Sequence, residues 1–354
     1  MKKIVLTGGG TAGHVTPNIA LLPSLQEAGY EVAYMGSYDG IEKKLIEELG
    51  IDYIGISSGK LRRYLSLKNL TDPFRVIKGF SEAKKFIKSY KPDVVFSKGG
   101  FVSVPVVLAA DKYKIPVIIH ESDMTPGLAN KIAIPHAHKV CHNFPETAQY
   151  LPKGKSILTG SPIRKELLSG NKTSGLHMCN FTSDKPVIMI IGGSLGAAAV
   201  NKIVRDSLDE LLKSYQVVHL CGKGKMDDSL KNKKGYVQFE YIKNELKDLF
   251  AMSDVIISRA GANAICEILA LKKPNILIPL PAHASRGDQI LNAESFRKQG
   301  YSIVLDEDAL TTDLFIKTVN EVYKERNTYI SNMEKSSSKD SIETIIQLIE
   351  DATK

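Results

Sequence analysis

Two glycine-rich stretches could do chemistry with their backbones alone. Gly8-Gly9-Gly10-Thr11-Ala12-Gly13-His14 follows the apolar run Ile4-Val5-Leu6, and Gly192-Gly193-Ser194-Leu195-Gly196-Ala197 follows Val187 to Ile191. In each, a strand should feed through glycines into a helix, where the chain can approach a ligand closely and helix N-terminal amides favour an anion. Gly8, Gly10 and Gly13 satisfy the spacing of the dinucleotide fingerprint. That fingerprint also needs an acid about 20 residues on, at the end of the second strand. Here the strand ends Tyr34-Met35-Gly36-Ser37 and Asp39 lies beyond it, which disfavours a dehydrogenase. A tight turn that binds nothing is the bland alternative.

His14 directly follows the first loop. Imidazole titrates near neutrality and suits a general base, and a helix N-terminus would keep it neutral. Lys98 to Ser103, with Gly99, Gly100 and Phe101, and then His120-Glu121-Ser122-Asp123, each follow an expected strand. Ligands of open α/β sheets bind at the carboxyl ends of strands, so these loops should add a polar pocket beside the first one, with Glu121 placed to orient or bind an acceptor. Ser258 to Glu267 places small residues at a helix start and a carboxylate two turns in, suited to ribose hydroxyls. His283, Arg286, Asp288 and Gln289 suit sugar hydroxyls, although a solvated loop would look the same. Asp306-Glu307-Asp308 could hold a metal, but its place before Ala309-Leu310-Thr311 favours an N-capping turn.

The elements that must position these groups alternate. Short β-branched runs at Ile4 to Thr7, Glu31 to Met35, Tyr53 to Ile56, Asp93 to Ser97, Val117 to His120 and Val140 to His142 are separated by helix-length amphipathic stretches. That rhythm predicts a doubly wound parallel sheet. It restarts at Val187 to Ile191 and continues through Val217 to Leu220, Val237 to Phe239, Val255 to Ser258, Asn275 to Pro279 and Ser302 to Leu305. The polar stretch Gly160 to Lys185 marks the junction, with a hinge near Ser161-Pro162. Ile342, Ile345, Ile346 and Ile349 form a helical stripe that fits either domain.

A chain of 354 residues, 43% hydrophobic and 24% charged, is an ordinary globular one of two domains. Its four cysteines lack CxxC spacing, so neither zinc nor disulfides are expected. The N-terminal apolar run is too short for a signal-peptide core, and no run approaches the roughly 20 residues of a membrane span. Formal net charge is +8, which favours acidic partners. Without a nucleic-acid-binding motif, phosphorylated substrates and anionic membrane are preferred. Lys60, Arg62, Arg63, Lys68, Arg75 and Lys78 interleave with apolar residues up to Phe80, as on a surface that leans on anionic lipid or on an amphipathic helix with a solvated basic face.

In order and over essentially the whole chain, Gly8 to His14, Lys98 to Ser103, His120-Glu121, Ser161-Pro162-Ile163-Arg164, Gly192 to Ala197 and Ser258 to Glu267 resemble the MurG family of bacterial glycosyltransferases. The resemblance implies an α/β GT-B fold of two Rossmann-like doubly wound parallel-sheet domains with a cleft between them. Residues 1–162 would take the acceptor and associate with membrane, 163–340 would bind UDP-GlcNAc, and the last helix, within 341–354, would return to the first domain. It implies inverting transfer of N-acetylglucosamine to the 4-hydroxyl of MurNAc in undecaprenyl-pyrophosphoryl-MurNAc-pentapeptide (lipid I), giving lipid II for peptidoglycan, with no cofactor and no metal. The place of work would be the cytoplasmic face of the cell membrane, with its anionic surface and other cell-wall and division proteins as further partners.

By the same resemblance, His14 and Glu121 are the catalytic candidates, and Thr11, Ala12 and Gly13 lie beside the transferred sugar. Arg164 and Ser194 bind the donor diphosphate, Ile242 the uracil, Glu267 the ribose and Gln289 the sugar, while Gly99, Gly100, Phe101 and Asn130 serve the acceptor. Leu195, Ala198, Ser122, Asp123 and Asp288 depart from the family pattern. A UDP-GlcNAc 2-epimerase, which shares the architecture and the donor but needs no acceptor, is the alternative.

Overall fold

The computed structural model describes residues 1–59, 68–193, 196–336 and 340–354, the side chains of 68–73 excepted. It divides into two compact units, Met1–Arg164 with the C-terminal helix Ser341–Ala352, and Lys165–Ser337. In the first, β1 (Lys2–Thr7), β2 (Tyr30–Ser37), β3 (Asp52–Ile56), β4 (Val94–Ser97), β5 (Val117–Glu121), β6 (Lys139–His142) and β7 (Ser156–Leu158) form one parallel sheet ordered β3-β2-β1-β4-β5-β6-β7. Parallel neighbours require crossovers, and helices supply them. Val5, Val95, Val117 and Ile119 enter one apolar cluster, while Ile4, Leu6, Val94, Phe96 and Ile118 enter another. That period of two is what a sheet covered on both faces demands.

The helix Ser341–Ala352 packs on the helix Thr16–Glu27 and buries Ile345 and Ile349 completely. Each such isoleucine is worth roughly 1.5–3 kcal/mol. Ser341 Oγ donates to the Ser161 carbonyl at 2.8 Å, and Lys2 Nζ to Thr353 Oγ1 at 2.9 Å.

In the second unit, β8 (Val187–Ile191), β9 (Gln216–Leu220), β10 (Tyr236–Phe239), β11 (Val255–Ser258), β12 (Asn275–Leu277) and β13 (Ser302–Val304) form a parallel sheet ordered β10-β9-β8-β11-β12-β13. Both sheets reverse their winding beside their first strand, between β1 and β4 and between β8 and β11. At such a switch point the loops diverge and leave a crevice at the strands' carboxyl ends. The glycine loops leave β1 and β8 there. The edge strand β7 was missing from the expected set.

Candidate active site

Leaving β1, the chain buries Gly8 and Gly9 and then exposes Gly10, Thr11 and Ala12. Ala12–His14 forms a single 3-10 turn ahead of the helix Thr16–Glu27. His14 Nδ1 lies 3.0 Å from the Gly9 carbonyl and 3.3 Å from Thr11 Oγ1. A carbonyl can only accept, so Nδ1 carries the proton and the ring's lone pair is on Nε2, the tautomer a base requires.

The loop after β4 meets this one backbone to backbone. Gly100 has φ +85°, and a Cβ built there would collide with the Gly9 carbonyl, so only glycine fits. Behind it lies a buried polar network. Lys98 Nζ is 2.7 Å from His120 Nδ1 and also donates to Ser122 Oγ, while His120 Nε2 donates to the Gly160 carbonyl at 2.8 Å. Burial first, and then the Lys98 charge, holds the His120 pKa well below the ordinary histidine value. His120 is therefore neutral.

Glu121 is tied into its own loop. It is 4% exposed and accepts from the Asp123 and Gly127 amides, each at 3.0 Å, and from Asn130 Nδ2 at 2.8 Å. Burial raises its pKa although the Asn130 bond lowers it. These bonds make Glu121 a brace of its own loop. Asn130, expected on the acceptor, is buried, and its Oδ1 has no hydrogen-bond partner among the described residues. Phe101 is half-buried.

In the second unit, Gly196 presses on the Cys221 carbonyl, where a Cβ would collide, and the helix Ala198–Asp206 starts at once, with no side chain among the described residues capping its N-terminus. The helix Ala262–Ala270, which follows β11 and carries half-buried Glu267, begins at Gly261, which has no side chain to cap it. Two sets of helix-terminal amides thus flank the switch point, an arrangement suited to phosphate oxygens. Ser194 and Leu195 lie outside the described residues. Half-buried Ile242 follows β10, and half-buried Arg164 is the last residue of the first unit. Gln289 Oε1 accepts from the Leu280 amide at 3.1 Å, which directs its Nε2 donors elsewhere. Asp306 Oδ1 caps the Asp308 amide at 3.1 Å, and Glu307 pairs with Arg259, so the acidic run shapes a turn. Among the described residues no cluster of three or more His, Cys, Asp or Glu is placed to hold a metal ion.

Residues 4–142 match the glycosyltransferase family 28 N-terminal domain, and residues 187–349 match the glycosyltransferase family 28 C-terminal domain. The chain belongs to glycosyltransferase family 28. Its relatives within family 28 include a Lachnospira eligens protein named UDP-N-acetylglucosamine--N-acetylmuramyl-(pentapeptide) pyrophosphoryl-undecaprenol N-acetylglucosamine transferase, 70% identical over 354 residues and 100% of both chains. A protein of the same name from Clostridium botulinum strain Loch Maree is 58% identical, also over 100% of both. The crystal structure of Acinetobacter baumannii MurG superposes with a TM-score of 0.80 at 25% identity, covering 99% of this chain and 100% of that one. The expected glycosyltransferase class and GT-B fold are thereby borne out.

One residue beneath the first glycine loop escaped the sequence reading. Glu42, in the first turn of the helix Ile41–Glu47, is fully buried beneath the first glycine loop and accepts from the Gly10 amide at 3.1 Å and the Ser37 amide at 3.0 Å. The signal available was an acid set among Gly36, Gly40 and the loop glycines.

Proposed function

We propose that this enzyme transfers N-acetylglucosamine from UDP-GlcNAc to the 4-hydroxyl of MurNAc in lipid I, making lipid II. The observation that carries the reading is the 70% identity, without gaps in coverage, to a protein named for that reaction. In one displacement the acceptor oxygen bonds to C1 of the sugar, its proton passes to His14 Nε2, and the C1–O bond to the diphosphate breaks as UDP leaves. One displacement inverts C1, and charge develops as in other glycosyl transfers, with positive character at the sugar and negative on the leaving group. The second unit supplies amides at the helix Ala198–Asp206 for that negative charge, with Arg164 and Ser194 as further diphosphate contacts. Glu267 holds the ribose, Ile242 the uracil, and Gln289 Nε2 a sugar hydroxyl. Thr11, Ala12 and Gly13 border the sugar, and Gly99, Gly100, Phe101 and Asn130 border the acceptor.

We further propose that the first unit rests on the anionic cytoplasmic face of the membrane. Phe74 and Ile77 are 73% and 65% exposed on the helix Lys68–Tyr90, with Arg75 and Lys78 exposed beside them. Residues 60–67 of the basic stretch lie outside the described residues. Among the described residues no helix is long and apolar enough to cross a membrane.

The test is UDP release from labelled UDP-GlcNAc with and without a lipid I analogue. Acceptor-dependent release is expected, and His14→Ala should lower kcat by about 10²–10⁴-fold, the range for losing a general base. Epimerised sugar formed without acceptor would overturn the reaction, and near-normal turnover by His14→Ala would remove the base.

A further inference from the structure

We propose that Glu42 is a positioning and specificity-determining residue for the transfer reaction: its carboxylate fills the anion cradle of the first glycine loop, fixing Gly10 and keeping phosphate out. The inference rests on the reading that this loop borders the reacting sugar.

A strand–glycine–helix turn ordinarily offers its amides to a ligand's phosphate. Here the Gly10 amide is already taken by Glu42 at 3.1 Å, and the same carboxylate accepts from Ser37 through both its amide and its hydroxyl. None of these partners is a cation. The fit is enforced from several sides. A Cβ on Gly9, Gly36 or Gly40 would collide with the Glu42 side chain, so these glycines hollow out the space it occupies. Burial alone would raise the Glu42 pKa, but the Ser37 and Gly10 bonds outweigh it and hold the pKa below the ordinary value, so the charge persists.

A full negative charge, fixed and desolvated against the loop, repels a second anion there far more than a solvated one would. It does not repel hydroxyl or amide groups. The corresponding turn of the second unit, after β9, instead carries exposed Lys223 and Lys225, with Glu240 bonded to the Gly224 amide. The first glycine loop is thereby suited to neutral sugar rather than to phosphate.

Full-length wild type, Glu42→Gln and His14→Ala are compared in the acceptor-dependent assay, with inorganic pyrophosphate as the anionic probe. Glu42→Gln should lower kcat at least tenfold, change KM for UDP-GlcNAc less than threefold, and be inhibited by pyrophosphate at concentrations at least tenfold lower than wild type. A purely structural defect would not create that new sensitivity. Wild-type kcat, or unchanged pyrophosphate inhibition, in a folded Glu42→Gln overturns the proposal. Should Glu42→Gln not fold, Glu42→Asp keeps the charge and withdraws it from Gly10 by one methylene; wild-type kcat there overturns the proposal equally. Loss of activity in His14→Ala with full activity in Glu42→Gln rejects Glu42 alone, whereas full activity in His14→Ala rejects the reading beneath it.

Discussion

His219 is fully buried in the second unit, with Nδ1 2.9 Å from the Tyr236 hydroxyl and Nε2 3.0 Å from Asn201 Oδ1. Burial first, and then the Arg205 charge, pushes its pKa from the ordinary 6.5 down to about 3. Below the ordinary value the unfolded chain takes a proton that the folded one refuses. The stability is fully present above pH 6.5 and is lost as pH falls toward 3, at about 1.4 kcal/mol per pH unit. His120 acts in the same direction. Denaturant titrations at pH 7 and pH 5 should therefore show a loss that His219→Gln reduces, even if that variant is weaker at pH 7; equal losses would place the acid sensitivity elsewhere. Which residues were legible follows a similar logic. His14 could be singled out because its loop is local, and its partners Gly9 and Thr11 are near in sequence. Glu42 could not, because it looks like an ordinary first-turn acid until β2 is laid beside β1 and the turn after it slides under Gly10. Glu121 drew notice as a carboxylate after a strand; the Gly127 and Asn130 donors bonded to it belong to a loop whose path only the fold defines.

The glycine loops are elements in their own right, and two of their glycines should respond differently to a methyl group. Gly10 and Gly100 both have φ +85°, but a Cβ on Gly10 meets open space whereas one on Gly100 meets the Gly9 carbonyl. Gly10→Ala should cost about 1 kcal/mol of backbone strain and Gly100→Ala about 2–4 kcal/mol, since one loop must move off the other. Urea unfolding of both variants measures the difference; equal losses would mean that the contact between the loops contributes nothing. The strands were readable because β-branched runs buried on both faces are continuous in sequence. The Ser156–Leu158 strand was not: it is a three-residue edge strand without a run of its own, and it exists by pairing with β6.

For the molecule as a whole, the formal charge of +8 acts at long range while Phe74 and Ile77 act only on contact. Phosphatidylglycerol vesicles should bind the protein at low salt and release much of it at high salt, as screening shortens the field. Replacing both residues by serine should weaken binding at least tenfold by flotation, with the salt dependence kept. No binding at low salt would remove the membrane contact. The restarted strand rhythm made two domains legible, yet the isoleucine stripe of Ser341–Ala352 fitted either one; Ile345 and Ile349 enter the cluster of Ile4 and Leu6. The first unit is thus interrupted by the second, because its closing helix follows residues 165–337 in the chain. During synthesis, the strands that emerge earliest must wait with part of one apolar face uncovered while the whole second unit is made and can fold behind them. The unit that begins first is completed last.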